Sequence, residues 1–124
     1  MSSSAAQAYA RVANTTATPR EIEAQALLMA ANKLQDISTN ANATMDQTTK
    51  ALMFNRQLWS VFLGEALNQE SQQPLDLRQK IVDISMFVLT HTLALQAVPA
   101  IKPDELKPLI EINRNIAAGL SGRA

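Results

Sequence analysis

His91 is the single histidine of the chain. An imidazole titrates near neutral pH and can act as a general base or as a metal ligand. Either role needs neighbours. A nucleophile must share a face with its base, but Ser85 lies six residues before His91, and helical geometry puts the two on different faces. Carboxylate metal sites in helical bundles use a Glu-x-x-His pair, whereas Phe87, Val88 and Leu89 precede His91. Cysteine is absent, so disulfides and thiolate sites cannot form. There is no glycine-rich phosphate loop. Glu21, Glu23, Glu65, Glu70, Glu105 and Glu111 fall on polar faces or helix starts, with Glu21 and Glu23 accounted for by capping and the helix dipole. The expectation is a binding protein and not an enzyme, with no catalytic, cofactor or metal site, and with His91 a packed or hydrogen-bonded side chain.

The elements that carry these residues read as helices. Thr18 can cap a helix, Pro19 fits its first position, and Glu21 completes a capping box. From there Ala26, Leu27, Ala30, Leu34 and Ile37 recur at helical spacing. Residues 40–44 are polar and read as a loop. A second helix is expected from about Asp46 to Asn68, with the stripe Ala51, Leu52, Leu58, Trp59, Phe62 and Ala66. Pro74 cannot sit inside a helix, so a third starts after it, from about Asp76 to Ala97. That third helix is apolar over most of its circumference, which predicts the centre of a bundle. Pro99 and Pro103 mark a link. A fourth helix places Leu106, Leu109, Ile110, Ile116, Ala117 and Leu120 on one face, with Pro108 limiting its backward extension and Gly119 or Gly122 ending it. Residues 1–17 read as a short N-terminal helical arm and a link, and residues 18–124 as the bundle. The predicted fold is all-α: a compact bundle of four main helices in a single domain.

Composition agrees. Hydrophobic residues make up 47% of 124, enough for one core. Lys and Arg number 11, as do Asp and Glu, and no basic run offers a phosphate-binding stripe. No direct nucleic-acid contact is expected. The N-terminal ten residues lack a basic region followed by an apolar run, so they do not read as a secretion signal. Residues 81–98 approach the length of a membrane span but contain Asp83, Ser85, Thr90, His91, Thr92 and Gln96, and read instead as a buried helix. No membrane association is expected.

Four positions break the pattern. Asn55 sits mid-stripe among Leu52, Leu58, Trp59 and Phe62, and Asn113 holds the same place among Leu109, Ile110, Ile116 and Ala117. An unpaired buried amide costs roughly 1–3 kcal/mol, so each should have a partner. Either the two bond separately to backbone or water, or they share a buried polar layer that fixes helix register. Phe87 falls on the polar stripe of the third helix, beside Asp83 and Thr90, and Leu28 lies on the polar side of the first. They contribute to a partner surface, or the N-terminal arm or a second subunit covers them. Trp59 fits either the core or an interface anchor.

These residues also resemble a known family. Ala8-Tyr9, then Thr18-Pro19-Arg20-Glu21-Ile22-Glu23-Ala24, are similar to the opening of the flagellar biosynthesis regulator FlaF. So are Phe54-Asn55-Arg56-Gln57-Leu58-Trp59, then Arg78-Gln79-Lys80-Ile81 leading into Phe87-Val88, and Ile112-Asn113-Arg114-Asn115-Ile116-Ala117-Ala118-Gly119-Leu120. The resemblance spans nearly the whole chain in the expected order. It implies a cytoplasmic alphaproteobacterial protein that promotes flagellin synthesis and export, opposite to a second regulator, FlbT. It further implies direct flagellin binding as a secretion chaperone, flagellin termini being amphipathic helices. The alternative is a post-transcriptional regulator acting through FlbT or the translation apparatus without touching flagellin. The expected partner-binding residues are Tyr9, Arg20, Leu28, Arg56, Trp59, Phe87 and Arg114, with the arginines at the rim of a groove.

Overall fold

The computed structural model of the chain describes Ala5 and residues 18–122. Among these are four α-helices and one 3-10 turn, with no strand. The expected arm, and Tyr9 with it, lies outside the described residues apart from Ala5, which is helical and packs in the core.

Helix α1 (Pro19–Thr39) starts as its sequence dictates: the Thr18 hydroxyl accepts the Glu21 backbone N–H at 3.2 Å, and Pro19 follows the cap. A full capping box forms at α2 (Met45–Leu67), where Thr44 Oγ1 accepts from Gln47 N–H at 3.1 Å and Gln47 Oε1 accepts from Thr44 N–H at 2.9 Å. Thr44-x-x-Gln47 is the signature of that box, and its Thr44 falls in the segment read as plain loop. Helix α3 (Leu75–Gln96) begins directly after Pro74. The 3-10 turn (Pro103–Leu106) runs straight into α4 (Lys107–Leu120), which tolerates Pro108 because the first turn has no intrahelical acceptor for its N–H. Gly122, at φ 72°, ends the chain's last helix in the left-handed region that only glycine enters cheaply, and its N–H bonds to Gly119 O at 3.1 Å.

The third helix is not the centre. α3 packs chiefly on α2, burying Ser85, Val88, Thr92 and Leu95 while Met86, Phe87 and Leu93 stand 52%, 49% and 63% exposed. The central element is α1, which contacts α2, α4 and the 3-10 turn. Ala24, Ala26, Ala30 and Ala31 are all buried on it, and side chains this small let several neighbours approach one helix closely. An apolar circumference shows how much surface a helix could bury, not how much its own chain covers.

Three side-chain hydrogen bonds pin the periphery. Arg78 of α3 donates from Nε to Ala66 O at 2.9 Å and from Nη2 to Asn68 O at 3.0 Å, satisfying carbonyls left open at the C-terminal end of α2. His91 Nε2 donates to Glu105 O at 2.9 Å, tying α3 to the 3-10 turn.

Candidate partner-binding cleft

The core of the molecule contains a chain of buried amides. Trp59 Nε1–H donates to Asn113 Oδ1 at 2.8 Å, and Asn113 Nδ2 donates to Asn55 Oδ1 at 2.6 Å. All three side chains are essentially inaccessible to water. The orientation is forced from one end: indole N–H is a donor only, so Asn113 must turn its oxygen to Trp59 and its NH2 to Asn55. Asn55 then spends its own oxygen on Asn113, and its Nδ2 finds no partner. Because α2 supplies Trp59 and Asn55 and α4 supplies Asn113, this chain sets the register between the two helices.

Trp59, itself buried, also lines a surface cleft. Its ring meets Phe62 edge to face, with centroids 5.3 Å apart and planes at 86°. Together they floor a cleft of about 440 Å³, walled by Leu27 of α1, Ile81 and Ile84 of α3, and Ile116 of α4. Each of the four helices thus contributes. Around the apolar walls stand Glu23, Glu65, Arg20 and Lys80. Gln73, in the α2–α3 link, also lines the cleft, with its Oε1 buried and unpartnered.

Both glutamates sit above the usual carboxylate range. Burial raises Glu23 first and the neighbouring Glu65 charge second, with Arg20 pulling it back. Burial raises Glu65. Glu23 is not explained by capping or the dipole: it lies beyond the first turn of α1 and is half-buried against the cleft. Glu65 stands in the last turn of α2, where the dipole disfavours a carboxylate, and that misplaced charge was a signal in the sequence.

A family model describing flagellar protein FlaF matches residues 5–120 of this chain. The chain belongs to the FlaF family. Its part is therefore in flagellum biogenesis. Comparison with curated proteins and with solved structures found no match. Four of the segments that carry the resemblance converge in space in this FlaF-family chain. The first brings Arg20 and Glu23, the second Asn55 and Trp59, the third Lys80 and Ile81, and the last Asn113 and Ile116, all to the cleft or the amide chain beneath it.

The expected partner-binding residues are dispersed. Trp59 and Arg20 line the cleft. Arg56 and Arg114 are exposed elsewhere and reach only amide oxygens, Gln96 Oε1 at 3.5 Å and Gln35 Oε1 at 3.4 Å. Leu28 is half-buried against the core, and Phe87 is exposed and stacked on His91 with centroids 5.6 Å apart. They sit on helices that share no substantial interface. Among the described residues, no three His, Asp or Glu side chains gather where a metal could bind, and no helix is long and apolar enough to cross a membrane.

Proposed function

We propose that this FlaF-family protein is a cytoplasmic, non-catalytic binding partner of flagellin that holds it competent for export. The observation that supports this reading is the preformed cleft floored by Trp59 and Phe62. Amphipathic helices dock by setting apolar side chains at i, i+3, i+4 and i+7 into such grooves. A volume of about 440 Å³ suits a few anchors of one helical face and not a whole helix. A buried aromatic floor is also where interface binding energy concentrates. The rigid amide chain below holds Trp59 in place before a partner arrives, which reduces the ordering cost of binding.

Calorimetric titration with purified flagellin monomer, in the absence of FlbT and RNA, tests the reading. Saturable binding near one to one is expected, at roughly −8 kcal/mol or better. Ile84→Asp, which puts a charge into the cleft wall, should abolish it. No detectable binding by the unaltered protein would overturn the proposal and favour action through FlbT or the translation apparatus.

A further inference from the structure

Glu23 and Glu65 are poorly served by the molecule that holds them. Among the described residues the only ion pair is Lys50 Nζ to Asp46 Oδ2 at 3.0 Å, on an exposed face and involving no cleft residue. Arg20 and Lys80 line the same cleft, yet neither forms an ion pair with either glutamate. Glu23 is therefore half-buried beside a more exposed Glu65 whose charge raises it, and Arg20 offsets this from a distance, with no cation in contact with either carboxylate. Folding alone gains nothing from that arrangement, because desolvated like charges oppose each other. Gln73 adds a further unfilled acceptor at the same cleft.

We propose that the cleft selects an amphipathic helix bearing a lysine or arginine beside its apolar anchors, the cation lying between Glu23 and Glu65. This deepens the docking reading above and rests on it for the partner. The apolar anchors occupy the Trp59–Phe62 floor, and the cation makes the contact with the two carboxylates that Arg20 and Lys80 do not make. A desolvated charge-assisted contact of this kind contributes more than an exposed surface pair, since water and salt screen it less. A partner helix with an acidic residue at that place is rejected by like-charge repulsion.

The test combines two probes with three forms of the full chain: unaltered, the double variant Glu23→Gln/Glu65→Gln, and Glu111→Gln on the exposed face of α4 as a control for loss of a carboxylate outside the cleft. The first probe is purified flagellin monomer. The second is a pair of synthetic amphipathic helices with leucines at i, i+3, i+4 and i+7, flanked either by lysine or by glutamine. The double variant should bind flagellin about tenfold more weakly while melting no lower than the unaltered chain, and Glu111→Gln should bind normally. The lysine peptide should bind the unaltered chain about tenfold more tightly than the glutamine peptide, and that preference should vanish in the double variant. Flagellin binding that the double variant leaves intact overturns this inference and leaves the docking reading standing. Absence of flagellin binding, with the lysine preference present and lost in the double variant, does the reverse. A peptide preference that survives in the double variant, or no peptide binding, also overturns the inference.

Discussion

Replacing Asn113 by alanine should damage this protein far more than the same change at Asn55, although the two are equally buried and bonded to each other. Asn113→Ala removes the acceptor of Trp59 Nε1–H and the donor to Asn55 Oδ1. Two groups that cannot reach water lose their partners, at about 1–3 kcal/mol each, and a small cavity remains. The sum is about 3–5 kcal/mol. Asn55→Ala strands one group, Asn113 Nδ2, but also deletes Asn55 Nδ2, which has no partner in the native protein. Those effects oppose each other, so the net loss is about 1–2 kcal/mol, mostly cavity. The chain contains one tryptophan, so fluorescence during urea unfolding reports directly on this layer. At a slope of about 1–3 kcal/mol per molar urea, the two midpoints should differ by about 1 M, with the slopes unchanged. Equal midpoints, or a larger loss in Asn55→Ala, would refute the bonding order Trp59–Asn113–Asn55.

Stability should also carry a pH signature from the cleft. Glu23 has a folded pKa above its ordinary value, so it favours folding below that value and loses this contribution as pH rises through the raised one. At neutral pH the charged Glu23 therefore opposes folding, and Glu23→Gln should stabilise the chain by about 0.5 kcal/mol after allowance for its partial exposure, with a flatter decline from acid to neutral pH in urea titrations. A variant less stable than the parent at neutral pH would contradict this. Arg78→Ala should cost about 1–2 kcal/mol by exposing the unmet carbonyls at the end of α2, and Arg78→Lys should recover only part of it, because a point charge cannot reproduce the two-pronged contact to Ala66 and Asn68. Amide exchange in the last turn of α2 reports the fraying, and full recovery by lysine would show that charge alone suffices.

Local signals were legible along the chain. Thr18-Pro19 opened α1, Pro74 set the start of α3, and Gly122 closed α4, since each acts within one turn of itself. The apolar stripes of α1, α2 and α4 predicted the core, and the interruptions at Asn55 and Asn113 marked amides in need of partners, because burying an amide side chain with no hydrogen bond at all is costly. The family, too, was visible in short segments spread over nearly the whole length. What the sequence could not decide was which faces meet. It left open whether the two asparagines bond to each other, and only the approach of α4 to α2 brought them to 2.6 Å. The same limit produced the misplacement of α3 at the centre, because hydrophobicity around a helix records burial potential without saying whether the covering surface belongs to this chain. Glu23 and Glu65, like Arg78 and its two carbonyls, are separated along the chain and brought together by helix packing. Side-chain chemistry and helix periodicity are properties of a few neighbouring residues, whereas the cleft depends on how four helices pack, and that choice is made by the sum of their contacts.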